Sequence, residues 1–462
     1  MVNNSKAAEF FKHLHGKRVA VCGTGRNNIP VVLQFLKYGA RVAACDRRTR
    51  EELGNIAGEL EKAGAVLCLG EGYLDTLAET GADLILRTPG MKPYLPQFED
   101  ARRRGIPVTS EMELFFSLCP AMITAVTGSD GKTTTTTIIA GLLESVGYRV
   151  HLGGNIGRPL LPIINEISAD DQVVAELSSF QLTGMTQSPQ TAVITNIAPN
   201  HLDWHTDMKE YIDAKKNLIA WQNHADLAVL NADNPHTAGF ADIVKGRLAV
   251  FSRRYKPECG AWVTGDGILT MTYGGIDTPV VSASDIFIPG AHNIENYLAA
   301  IAAVWGKVPP EKIAGFAKKF GGVPHRCELV RELDGVKWYN DSIGSSPSRT
   351  MAGLTAFDRK VILIAGGYDK HIPYAALGPV AADKVKEAIL LGATADAIEA
   401  AIREHSAMPV HRVASMEEAV ETAKGISRGG DIVFLSPASA SFDMYKNFEE
   451  RGDHFKRLVH AL

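Results

Sequence analysis

Short apolar runs alternate with segments of helical periodicity along most of this chain. Runs of this kind, followed by amphipathic helices, are typical of an α/β protein with mostly parallel sheets. Because one doubly wound sheet rarely needs so many strands, the pattern favours more than one domain. The predicted strands cover residues 18–22, 41–45, 83–86, 122–126, 172–175, 191–195, 228–230, 360–364, 388–391 and 431–435.

The strand predicted at 122–126 leads into the loop Gly128-Ser129-Asp130-Gly131-Lys132-Thr133-Thr134, and a helical pattern follows. The glycines allow backbone N–H groups to converge on anionic oxygens, Lys132 adds a positive charge, and the Thr133 hydroxyl can bind Mg²⁺. Val126 stands where the general loop G-x-x-x-x-G-K-[ST] has its first glycine. We therefore predict a nucleotide-phosphate site of the shorter form G-x-x-G-K-T, with a plain helix start as the alternative. The five β-branched residues 133–137 are poor helix formers, which predicts hydroxyls that face a ligand.

Proline and glycine mark two breaks in the pattern, at 119–120 and at 321–324. We predict a Rossmann-like domain over 1–119, a central P-loop ATPase-type parallel sheet over 120–321, and a second Rossmann-like domain over 322–462. The predicted fold class is α/β in all three domains, and the sequence shows no internal repeat.

The first predicted domain carries a second nucleotide signal, the Gly23-Thr24-Gly25 turn after a predicted strand. Asp46 ends the next strand, as the ribose-binding acid does in the dinucleotide fingerprint G-x-G-x-x-G. Because Asn28 occupies the third glycine position, the turn suits either a nicotinamide cofactor or another nucleotide diphosphate. A further turn, at Pro89-Gly90, is predicted at the same edge of the sheet.

Composition places the chain among ordinary globular proteins and argues against some functions. Apolar residues make up 45% and charged residues 22% of the 462 residues. A net charge of −4 argues against a nucleic-acid binder that relies on phosphate neutralisation. The six cysteines form no C-x-x-C pair, and the longest apolar run, 298–305, is too short to cross a bilayer. We expect a cytoplasmic protein without membrane insertion.

Three residues downstream of the phosphate loop are candidates for metal or substrate binding. Glu176 follows an apolar strand, where a carboxylate suits Mg²⁺, although a solvated edge residue is the alternative. His201 is either a ligand or an ordinary loop histidine. Lys215 lies in a helical stretch beside Lys216, and on spacing alone each lysine is more often solvated surface.

Eight short motifs follow one another along the chain: the 128–134 loop, Gly154-Asn155-Ile156-Gly157, Glu176-Leu177-Ser178-Ser179-Phe180-Gln181-Leu182, Asn200-His201-Leu202-Asp203, Tyr211-x-x-Ala214-Lys215, Gly290-x-His292-Asn293-x-x-Asn296, Pro324-His325-Arg326 and Asn340-Asp341-Ser342. Taken in this order, they resemble the Mur ligase family, and the likeness covers essentially the whole chain. The closing segment, 435–453, resembles the branch of that family that adds D-glutamate.

This resemblance implies an ADP-forming, ATP-dependent amide ligase of cytoplasmic peptidoglycan precursor synthesis. The carboxylate of UDP-N-acetylmuramoyl-L-alanine (UDP-MurNAc-L-Ala) would attack the γ-phosphate of ATP and form an acyl phosphate. The amine of D-glutamate would then displace phosphate through a tetrahedral intermediate. The resemblance further implies small-molecule substrates, no nucleic-acid partner and a monomer.

The same resemblance implies roles for individual residues. Two Mg²⁺ ions, with Mn²⁺ as a substitute, would be held by Thr133, Glu176, His201 and a Lys215 carbamylated by CO₂. The catalytic residues would be Lys132, Glu176, His201, Lys215 and His325. ATP would be bound by Gly128, Ser129, Asp130, Gly131, Lys132, Thr133, Thr134, Asn293, Asn296, Arg326 and Asp341, with the two asparagines on the adenine side. The UDP-substrate would be bound by Gly25, Arg26, Asn27, Asp46, Pro89, Gly90, Asn155 and His201, and D-glutamate by Lys370, Ser436 and Phe442.

Two positions depart from the family pattern. Ile343 stands where many members have Lys after Asn-Asp-Ser, which leaves Ser345, Ser346 or Arg349 as the replacement. Asp130 stands where Asn is common, and a carboxylate is unfavourable among phosphates unless it faces away or approaches metal-bound water. The alternatives to this ligase are a relative that takes another amino acid, an NAD-dependent dehydrogenase built on residues 23–46, and a catalytically silent binding protein.

Overall fold

The computed structural model describes residues 4–25, 27–75, 77, 81–288, 290–370 and 372–462. Within these residues the chain forms sheets of five, nine and six strands, with helices packed against them. The α/β fold class is confirmed, and every predicted strand is present, with shifts of a few residues at the ends.

The strands are β1 (Arg18–Cys22), β2 (Arg41–Asp46), β3 (Val66–Leu69), β4 (Leu84–Arg87), β5 (Val108–Ser110), β6 (Met122–Thr127), β7 (Val150–Gly154), β8 (Gln172–Glu176), β9 (Thr191–Ile194), β10 (Leu227–Asn231), β11 (Arg247–Ser252), β12 (Gly260–Val263), β13 (Ile268–Tyr273), β14 (Ile276–Ser282), β15 (Glu328–Leu333), β16 (Val336–Asn340), β17 (Val361–Gly366), β18 (Val385–Leu391), β19 (Val410–Arg412) and β20 (Ile432–Leu435).

The α-helices are α1 (Ser5–Leu14), α2 (Asn28–Lys37), α3 (Arg50–Leu53), α4 (Asn55–Lys62), α5 (Pro96–Arg103), α6 (Glu111–Leu118), α7 (Lys132–Glu144), α8 (Ser179–Leu182), α9 (Met208–Ala220), α10 (Pro235–Ala238), α11 (Ala291–Val304), α12 (Pro310–Ala317), α13 (Pro347–Leu354), α14 (Leu377–Lys384), α15 (Ala395–Arg403), α16 (Met416–Ile426) and α17 (Phe448–Ala461). Short 3₁₀ helices cover Leu161–Glu166, Ala241–Ile243 and Ala283–Asp285.

The first sheet is parallel throughout, in the order β3-β2-β1-β4-β5. Val19 and Val21 enter one core cluster while Ala20 and Cys22 enter another, because successive side chains point to opposite faces. Burial on both faces explains why β1 reads as a continuous apolar run. Since β1 and β4 are neighbours, the turns that follow them lie at the same edge, as predicted.

The second sheet has the order β14-β13-β12-β11-β10-β9-β6-β8-β7. Strands β12 to β7 along that order run parallel, whereas β13 and β14 form an antiparallel extension that was not predicted. Helices α7 and α11 pack against each other beside this sheet. Because β9, β6, β8 and β7 are consecutive and parallel, the residues that follow them meet at one edge.

The third sheet has the order β15-β16-β20-β17-β18-β19, with β15 antiparallel to β16 and the other pairs parallel. Leu363 enters the core cluster on one face, and Ile362 and Ile364 enter the cluster on the other. The prediction of mostly parallel sheets is therefore confirmed for all three, with antiparallel strands confined to sheet edges.

The chain divides into two compact units. The first unit comprises Met1–Ile286 and Ala291–Lys318 and holds the first two sheets, and the second comprises Phe287–Gly290 and Lys319–Leu462 and holds the third. Inside the first unit, the buried Arg87 side chain donates from Nη2 to the carbonyl of Thr183, at 2.7 Å, and so joins the first sheet to the second. The three-domain division at 119 and 321 stays a prediction.

Candidate active site

Two glycines shape the phosphate loop between β6 and α7. Gly128, with φ 155°, and Gly131, with φ 75°, both have backbone angles that favour glycine. A Cβ atom would lie 1.8 Å from Thr195 Oγ1 on Gly128, and 2.4 Å from Asn296 Oδ1 on Gly131. Because Gly131 is the N-cap of α7, the loop lies at the positive end of that helix, where a phosphate is favoured.

Residues that follow β9 hold this loop through its main chain. The Ser129 N–H donates to Asn196 O, and the Asp130 N–H donates to Asn196 Oδ1, both at 2.9 Å. The Asp130 carbonyl accepts a hydrogen bond of 2.6 Å from Thr195 Oγ1. Asp130 is thus fixed by its backbone while the residue itself is exposed, and its carboxylate accepts no hydrogen bond from the described residues.

Glu176, the last residue of β8, faces the same loop and is only 1% exposed. Its Oε2 accepts from Thr133 Oγ1 and its Oε1 accepts from Asn155 Nδ2, both at 2.7 Å. The Asn155 N–H also donates to the Glu176 carbonyl, at 2.8 Å. The carboxylate is therefore buried rather than solvated, beside the hydroxyl that the sequence predicts as a Mg²⁺ ligand.

Two lysine side chains donate to the oxygens of the loop. Lys132 Nζ lies 3.0 Å from both Gly128 O and Ser129 O. Lys215 Nζ donates to Gly128 O at 2.7 Å and lies 4.8 Å from the centre of the Tyr211 ring. Burial, and then the Lys132 ammonium, lowers the pKa of Lys215 well below its ordinary value.

Helix phase decides between Lys215 and Lys216, which sequence spacing left open. Lys215 is 1% exposed on the face of α9 that meets the loop. Lys216 Nζ instead lies 3.9 Å from Asp213 Oδ1 and 5.6 Å from the Phe240 ring centre. Adjacent side chains on a helix point about 100° apart, so only one of the two lysines reaches the loop.

His201 lies near both lysines and has a left-handed backbone, with φ 54°. Its ring centre is 4.8 Å from that of Phe180. Partial burial, and then the Lys132 ammonium, lowers the pKa of His201. At neutral pH the imidazole is therefore uncharged, which is the state that metal binding requires.

The threonine run at the start of α7 bonds mainly to protein groups. The Thr136 and Thr137 hydroxyls donate to the carbonyls one turn back, at 2.7 and 2.8 Å. Thr135 Oγ1 donates to Asn296 Oδ1 at 3.1 Å. The expectation that the whole run faces a ligand is therefore wrong for residues 135–137. Only Thr133 and the half-buried Thr134 are left of this run as residues that can face a ligand.

Asn293 and Asn296 share one face of α11, as their spacing predicts. The Asn296 amide donates to Asn293 Oδ1 at 3.0 Å, and the residues are 8% and 4% exposed. Since Asn296 also accepts from Thr135, it braces α7 and the Gly131 end of the loop. Contact of these asparagines with adenine stays a prediction.

The turns after β1 and β4 pack against each other in the first unit. The Thr88 N–H donates to Cys22 O at 2.8 Å, and a Cβ on Gly23 would lie 2.6 Å from Thr88 Cγ2. Gly25 and Gly90 are exposed, so both turns are open to solvent. Among the other residues predicted here, Asn27 is the half-buried N-cap of α2, Pro89 is half-buried, and Arg26 lies outside the described residues.

Asp46 is saturated by protein donors. Its Oδ2 accepts from the N–H and the hydroxyl of Thr24, both at 2.7 Å, and its Oδ1 accepts from Arg48 Nε at 3.0 Å. Burial acts to raise the pKa of Asp46, but the hydrogen bonds from Arg48 and Thr24 hold it below its ordinary value. The carboxylate shapes the 23–25 turn, and its contact with a ligand stays a prediction.

A polar junction that the sequence did not predict joins the 88–94 segment to α9. Trp204 Nε1 donates to Gly90 O at 2.9 Å. Lys92 Nζ lies 3.1 Å from Glu210 Oε2 and 5.1 Å from the Trp204 ring centre, and the Tyr94 hydroxyl also donates to Glu210. Through these contacts the predicted UDP turn is held to the helix that carries Lys215.

In the second unit, Asp341 lies in a buried polar cluster and is 5% exposed. Its Oδ2 accepts from Ser436 Oγ at 2.7 Å, and its Oδ1 accepts from the Cys327 N–H at 3.2 Å. Burial raises the pKa of Asp341 to about 6. Ser436 is fully buried, so its hydroxyl supports Asp341, and its predicted contact with D-glutamate stays untested.

His325, which the sequence places among the catalytic residues, is 8% exposed and has φ 63°. Its Nδ1 lies 3.0 Å from Asn340 Nδ2, one residue before Asp341. A Cβ on Gly452 would lie 2.1 Å from this nitrogen, so the close approach of α17 requires glycine there. Burial, and then Lys456, lowers the pKa of His325.

Known proteins resemble this chain over nearly its whole length. Sequence profiles described as the Mur ligase middle domain and as the Mur ligase, glutamate ligase domain match residues 126–304 and 325–439. A UDP-N-acetylmuramoylalanine–D-glutamate ligase of Acetivibrio thermocellus is 51% identical over 99% of each chain. The chain belongs to the Mur ligase family. The protein of the same name from Clostridium perfringens is 48% identical to this Mur ligase, over 98% of this chain and 99% of its own.

Solved structures of Mur ligases share the fold at low sequence identity. The UDP-N-acetylmuramate-alanine ligase MurC of Thermotoga maritima has a TM-score of 0.57 at 18% identity, over 96% of this chain and 99% of its own. A pseudomurein peptide ligase type C from Methanothermus fervidus has a TM-score of 0.52 at 18% identity, over 96% of this chain and 100% of its own. These likenesses support the fold of this Mur ligase.

Position 343 has Ile where many family members have Lys, and the sequence left Ser345, Ser346 and Arg349 as replacements. Arg349 Nη1 donates to Ile343 O at 3.4 Å. Burial and the Arg326 charge lower the pKa of Arg349, while Asp341 raises it, so the three charges lie near one another. Among the described residues no carboxylate lies within salt-bridge distance of Arg349. Of the three candidates, only Arg349 supplies a cation here, since Ser345 and Ser346 are uncharged.

The two remaining residues predicted for D-glutamate lie on neighbouring loops of the second unit. The Gly366 N–H donates to Pro437 O at 2.8 Å, and the Tyr368 N–H donates to Ala440 O at 2.9 Å. These bonds lay the loop of Lys370 beside the loop of Phe442, and both side chains are exposed. The Tyr368 and Phe442 ring centres are 6.0 Å apart.

The described residues contain neither a membrane-spanning helix nor a ready-made cluster of metal ligands. Within that part of the chain no helix has the length and apolarity needed to cross a membrane. No group of three or more His, Cys, Asp and Glu side chains there is arranged to hold a metal ion. Any metal held at Glu176 would therefore depend on other oxygen ligands, such as hydroxyls and phosphates.

Proposed function

We propose that this Mur ligase joins D-glutamate to UDP-MurNAc-L-Ala, with conversion of ATP to ADP and phosphate. The observation that carries the proposal is the Glu176 carboxylate, which is bonded to Thr133 of the phosphate loop and to Asn155 at 2.7 Å. The names of the relatives from Acetivibrio thermocellus and Clostridium perfringens support D-glutamate as the amino acid.

The reaction brings anions together, so it depends on cations. A carboxylate is a poor acyl donor, and phosphorylation gives it a good leaving group. Two unit charges 4 Å apart repel by about 4 kcal/mol at an effective dielectric of about 20. Lys132 sits on the loop carbonyls at 3.0 Å, where it can move onto phosphate oxygens and stabilise the charge that develops during transfer.

The residues present fit Mg²⁺. Glu176 and Thr133 offer the hard oxygen ligands that Mg²⁺ prefers, and both are buried beside the phosphate loop. His201 is neutral and lies near the two lysines, so it could complete a second set of ligands. When bound, Mg²⁺ would supply charge neutralisation between the phosphate and carboxylate oxygens.

We further propose that Lys215 is carbamylated. Carbamylation requires the neutral amine, and an unperturbed lysine offers only ~1 molecule in 2500 at pH 7. Burial of Lys215 favours that form, because it lowers the pKa of the amine well below its ordinary value. The amine nitrogen would attack CO₂, a C–N bond would form as one C=O electron pair moves to oxygen, and the nitrogen would release a proton. The product is a carboxylate-like group beside Glu176 and the loop.

In the second half of the reaction, the chain's contribution is positioning. Lys370 and the loop of Phe442 would bind the carboxylates of D-glutamate, and Arg349 would stand in for the lysine that is absent at position 343. The neutral His325 is an acceptor rather than a cation at pH 7, and it is bonded to the segment that leads into Asp341. Asp341 is predicted to bind the ribose of ATP.

The test uses purified protein with ATP, Mg²⁺, UDP-MurNAc-L-Ala and each candidate amino acid, with phosphate release as the readout. Turnover is expected with D-glutamate and not with L-glutamate, L-lysine or meso-diaminopimelate. Lys132→Ala should abolish it, while Lys312→Ala, at an exposed helical lysine of the same unit, should leave it unchanged. Absence of D-glutamate-dependent turnover in the unmodified protein would refute the proposed substrate.

Carbamylation has a separate test, which does not depend on turnover. Protein equilibrated with ¹³C-bicarbonate should give one carbamate signal in the NMR spectrum, and Lys215→Met should lose it. Lys216→Met is the matched control and should keep the signal. A signal that persists in Lys215→Met would place the carbamate elsewhere.

A further inference from the structure

We propose that Arg451 is a positioning residue that holds the 340–342 loop and the 436–442 loop at a fixed spacing for the ligase reaction. These loops carry Asp341, predicted to bind the ribose of ATP, and Phe442, predicted to bind D-glutamate, so the inference rests on the proposed function. The family motifs gave Arg451 no role.

One guanidinium group bonds to both loops. Arg451 lies near the beginning of α17 and is 2% exposed. Its Nε donates to Ser342 Oγ at 3.0 Å and its Nη2 donates to Ser342 O at 2.9 Å. Its Nη1 donates to Ala440 O at 3.0 Å and to Ser439 O at 3.2 Å. The side chain therefore connects the residue after Asp341 with the backbone between Ser436 and Phe442.

The contacts of Arg451 differ from those of an ordinary buried ion pair. No carboxylate among the described residues lies within salt-bridge distance of it, and its acceptors are carbonyl and hydroxyl oxygens of the two loops. Burial lowers the pKa of Arg451 to about 10, which still leaves it charged at pH 7. Burying a charge that has no carboxylate in direct contact costs several kcal/mol, and the Asp443 charge acts on Arg451 only from beyond salt-bridge distance. The hydrogen bonds to both loops offset part of this cost, and they fix the spacing of the loops.

The backbone at Gly367 packs closely against one acceptor of this guanidinium. A Cβ on Gly367 would lie 2.2 Å from Ala440 O and 3.1 Å from Arg451 Nη1, and the next residue, Tyr368, bonds to Ala440. The loop that leads to Lys370 is thereby held in the same array. The Ser342 hydroxyl accepts from Arg451 and donates to Phe448 O at 2.8 Å, which fixes it in turn.

Positioning and simple stabilisation predict different kinetics. If Arg451 only stabilises the fold, its loss lowers the fraction of active enzyme, which reduces kcat and leaves every KM unchanged. If it sets the loop spacing, the KM for D-glutamate and the KM for ATP rise together. The KM for UDP-MurNAc-L-Ala should not change, because the residues predicted to bind it all lie in the first unit.

The first experiment compares Arg451→Lys and Arg451→Met with the same changes at Arg457, an exposed residue of the same helix. Lysine keeps the charge but cannot form the forked bonds, so Arg451→Lys should raise both KM values about tenfold. Arg451→Met should raise them further. The Arg457 variants should match the unmodified enzyme, and the KM for UDP-MurNAc-L-Ala should stay within about twofold throughout.

A second variant keeps the test decisive if an Arg451 variant does not fold. Ser342→Ala removes one acceptor and leaves the arginine in place, so both KM values should rise about threefold, in line with a single lost hydrogen bond. Unchanged KM values for ATP and D-glutamate in Ser342→Ala and in every folded Arg451 variant would overturn the inference. An equal rise in all three KM values would overturn it as well.

Failure of the proposed function would be seen separately, as absence of D-glutamate-dependent turnover in the unmodified enzyme. The spacing role would then be decided by direct titration of a non-hydrolysable ATP analogue. Arg451→Lys should weaken binding of the analogue about tenfold relative to Arg457→Lys. Equal Kd values for these two variants would refute the role of Arg451.

Discussion

Each compact unit holds a buried cation that has no carboxylate partner among the described residues: Lys215 in the first and Arg451 in the second. Lys215 is 1% exposed and Arg451 is 2% exposed. Both donate to loop oxygens, Lys215 to Gly128 and Arg451 to Ser342. Burial lowers the pKa of both groups, well below the ordinary value for Lys215 but only to about 10 for Arg451.

The same burial therefore has opposite chemical results in the two units. Lysine can lose its proton and become a nucleophilic amine, whereas arginine keeps its charge and its planar array of donors. In the first unit burial favours the neutral amine of Lys215 beside the phosphate loop. In the second it creates a rigid connection between loops. The choice of cation thus separates a chemical role from a positional one.

Lys215→Arg would make the cation of the first unit resemble that of the second, and it should have the largest effect. An arginine cannot supply a neutral amine, so no carbamate can form, and turnover should fall by about 1000-fold. Lys216→Arg, on the adjacent face of α9, should stay within about twofold of the unmodified enzyme. Phosphate release measures both, and near-normal turnover in Lys215→Arg would remove the distinction between the two cations.

Buried carboxylates extend the comparison to pH. Glu111 of the first unit is 3% exposed, accepts from the N–H groups of Leu160 and Leu161 at 3.1 and 2.8 Å, and has its pKa raised by burial from 4.5 to about 7. Between these values the native state keeps a proton that the unfolded chain has released, so the free energy of unfolding falls as pH rises. The contribution is fully present below pH 4.5 and is lost as pH rises through about 7, by about 3 kcal/mol.

Glu111→Gln keeps an acceptor oxygen and removes the titration. We compare the free energies of unfolding of the variant and the unmodified protein, measured by urea denaturation. The value of the variant minus that of the unmodified protein should increase by about 3 kcal/mol from pH 4.5 to pH 8. Glu9→Gln, at an exposed residue of α1, is the control, and its free energy of unfolding should differ from that of the unmodified protein by the same amount at every pH. If the difference between Glu111→Gln and the unmodified protein also stayed constant with pH, the pKa of Glu111 would not be raised in the folded protein. Asp341 gives a smaller total change of the same sign, since its pKa is raised from 3.8 to about 6.

Local sequence patterns predicted the features that depend on neighbouring residues. The 128–134 loop, Glu176 at the end of β8, and ten strands in the middle of the three sheets were found in this way. The pattern missed the other ten strands, which all lie on the outer sides of the sheets: β3, β5, β7, β11, β12, β13, β14, β15, β16 and β19. Their pairing is set by the sheet rather than by their own apolar content.

Contacts between distant residues could not be predicted from the sequence. Arg451 bonds to a residue 109 positions earlier, and Lys92 pairs with one 118 positions later. The family resemblance chose Lys215 over Lys216, but the physical reason required the phase of α9, and the role of Asn296 required its contact with Thr135. Arginine and lysine are usually solvated in a sequence of ordinary composition, so no local signal distinguishes these side chains.

Arg349 provides a third type of cation, exposed and without a carboxylate partner in the described structure, and its effect should be intermediate. If it replaces the absent lysine, Arg349→Ala should lower kcat/KM for D-glutamate about 30-fold, as expected for loss of one charge-assisted contact. The double variant Ile343→Lys with Arg349→Ala should recover most of that loss, because a lysine then stands after Asn340-Asp341-Ser342. Arg359→Ala is the matched surface control. No recovery in the double variant would show that Arg349 acts elsewhere.

Lys92, in the polar junction between the 88–94 segment and α9, differs from these three residues because it has a carboxylate partner, Glu210. Replacing Lys92 should therefore have the smallest effect. Burial acts to raise the pKa of Glu210, but hydrogen bonds from Thr206, Tyr94 and Lys92 hold it at about 2, so the pair stays ionised at working pH. Partly exposed ion pairs contribute at most about 1 kcal/mol, which predicts a rise of about fivefold in the KM for UDP-MurNAc-L-Ala in Lys92→Met or Glu210→Gln. Because both changes break the same contact, the KM of the double variant should be no higher than that of either single variant. Lys17→Met, which breaks an exposed ion pair elsewhere in the first unit, should leave this KM unchanged. Additive effects in the double variant would mean that the junction does not hold the predicted UDP turn to α9.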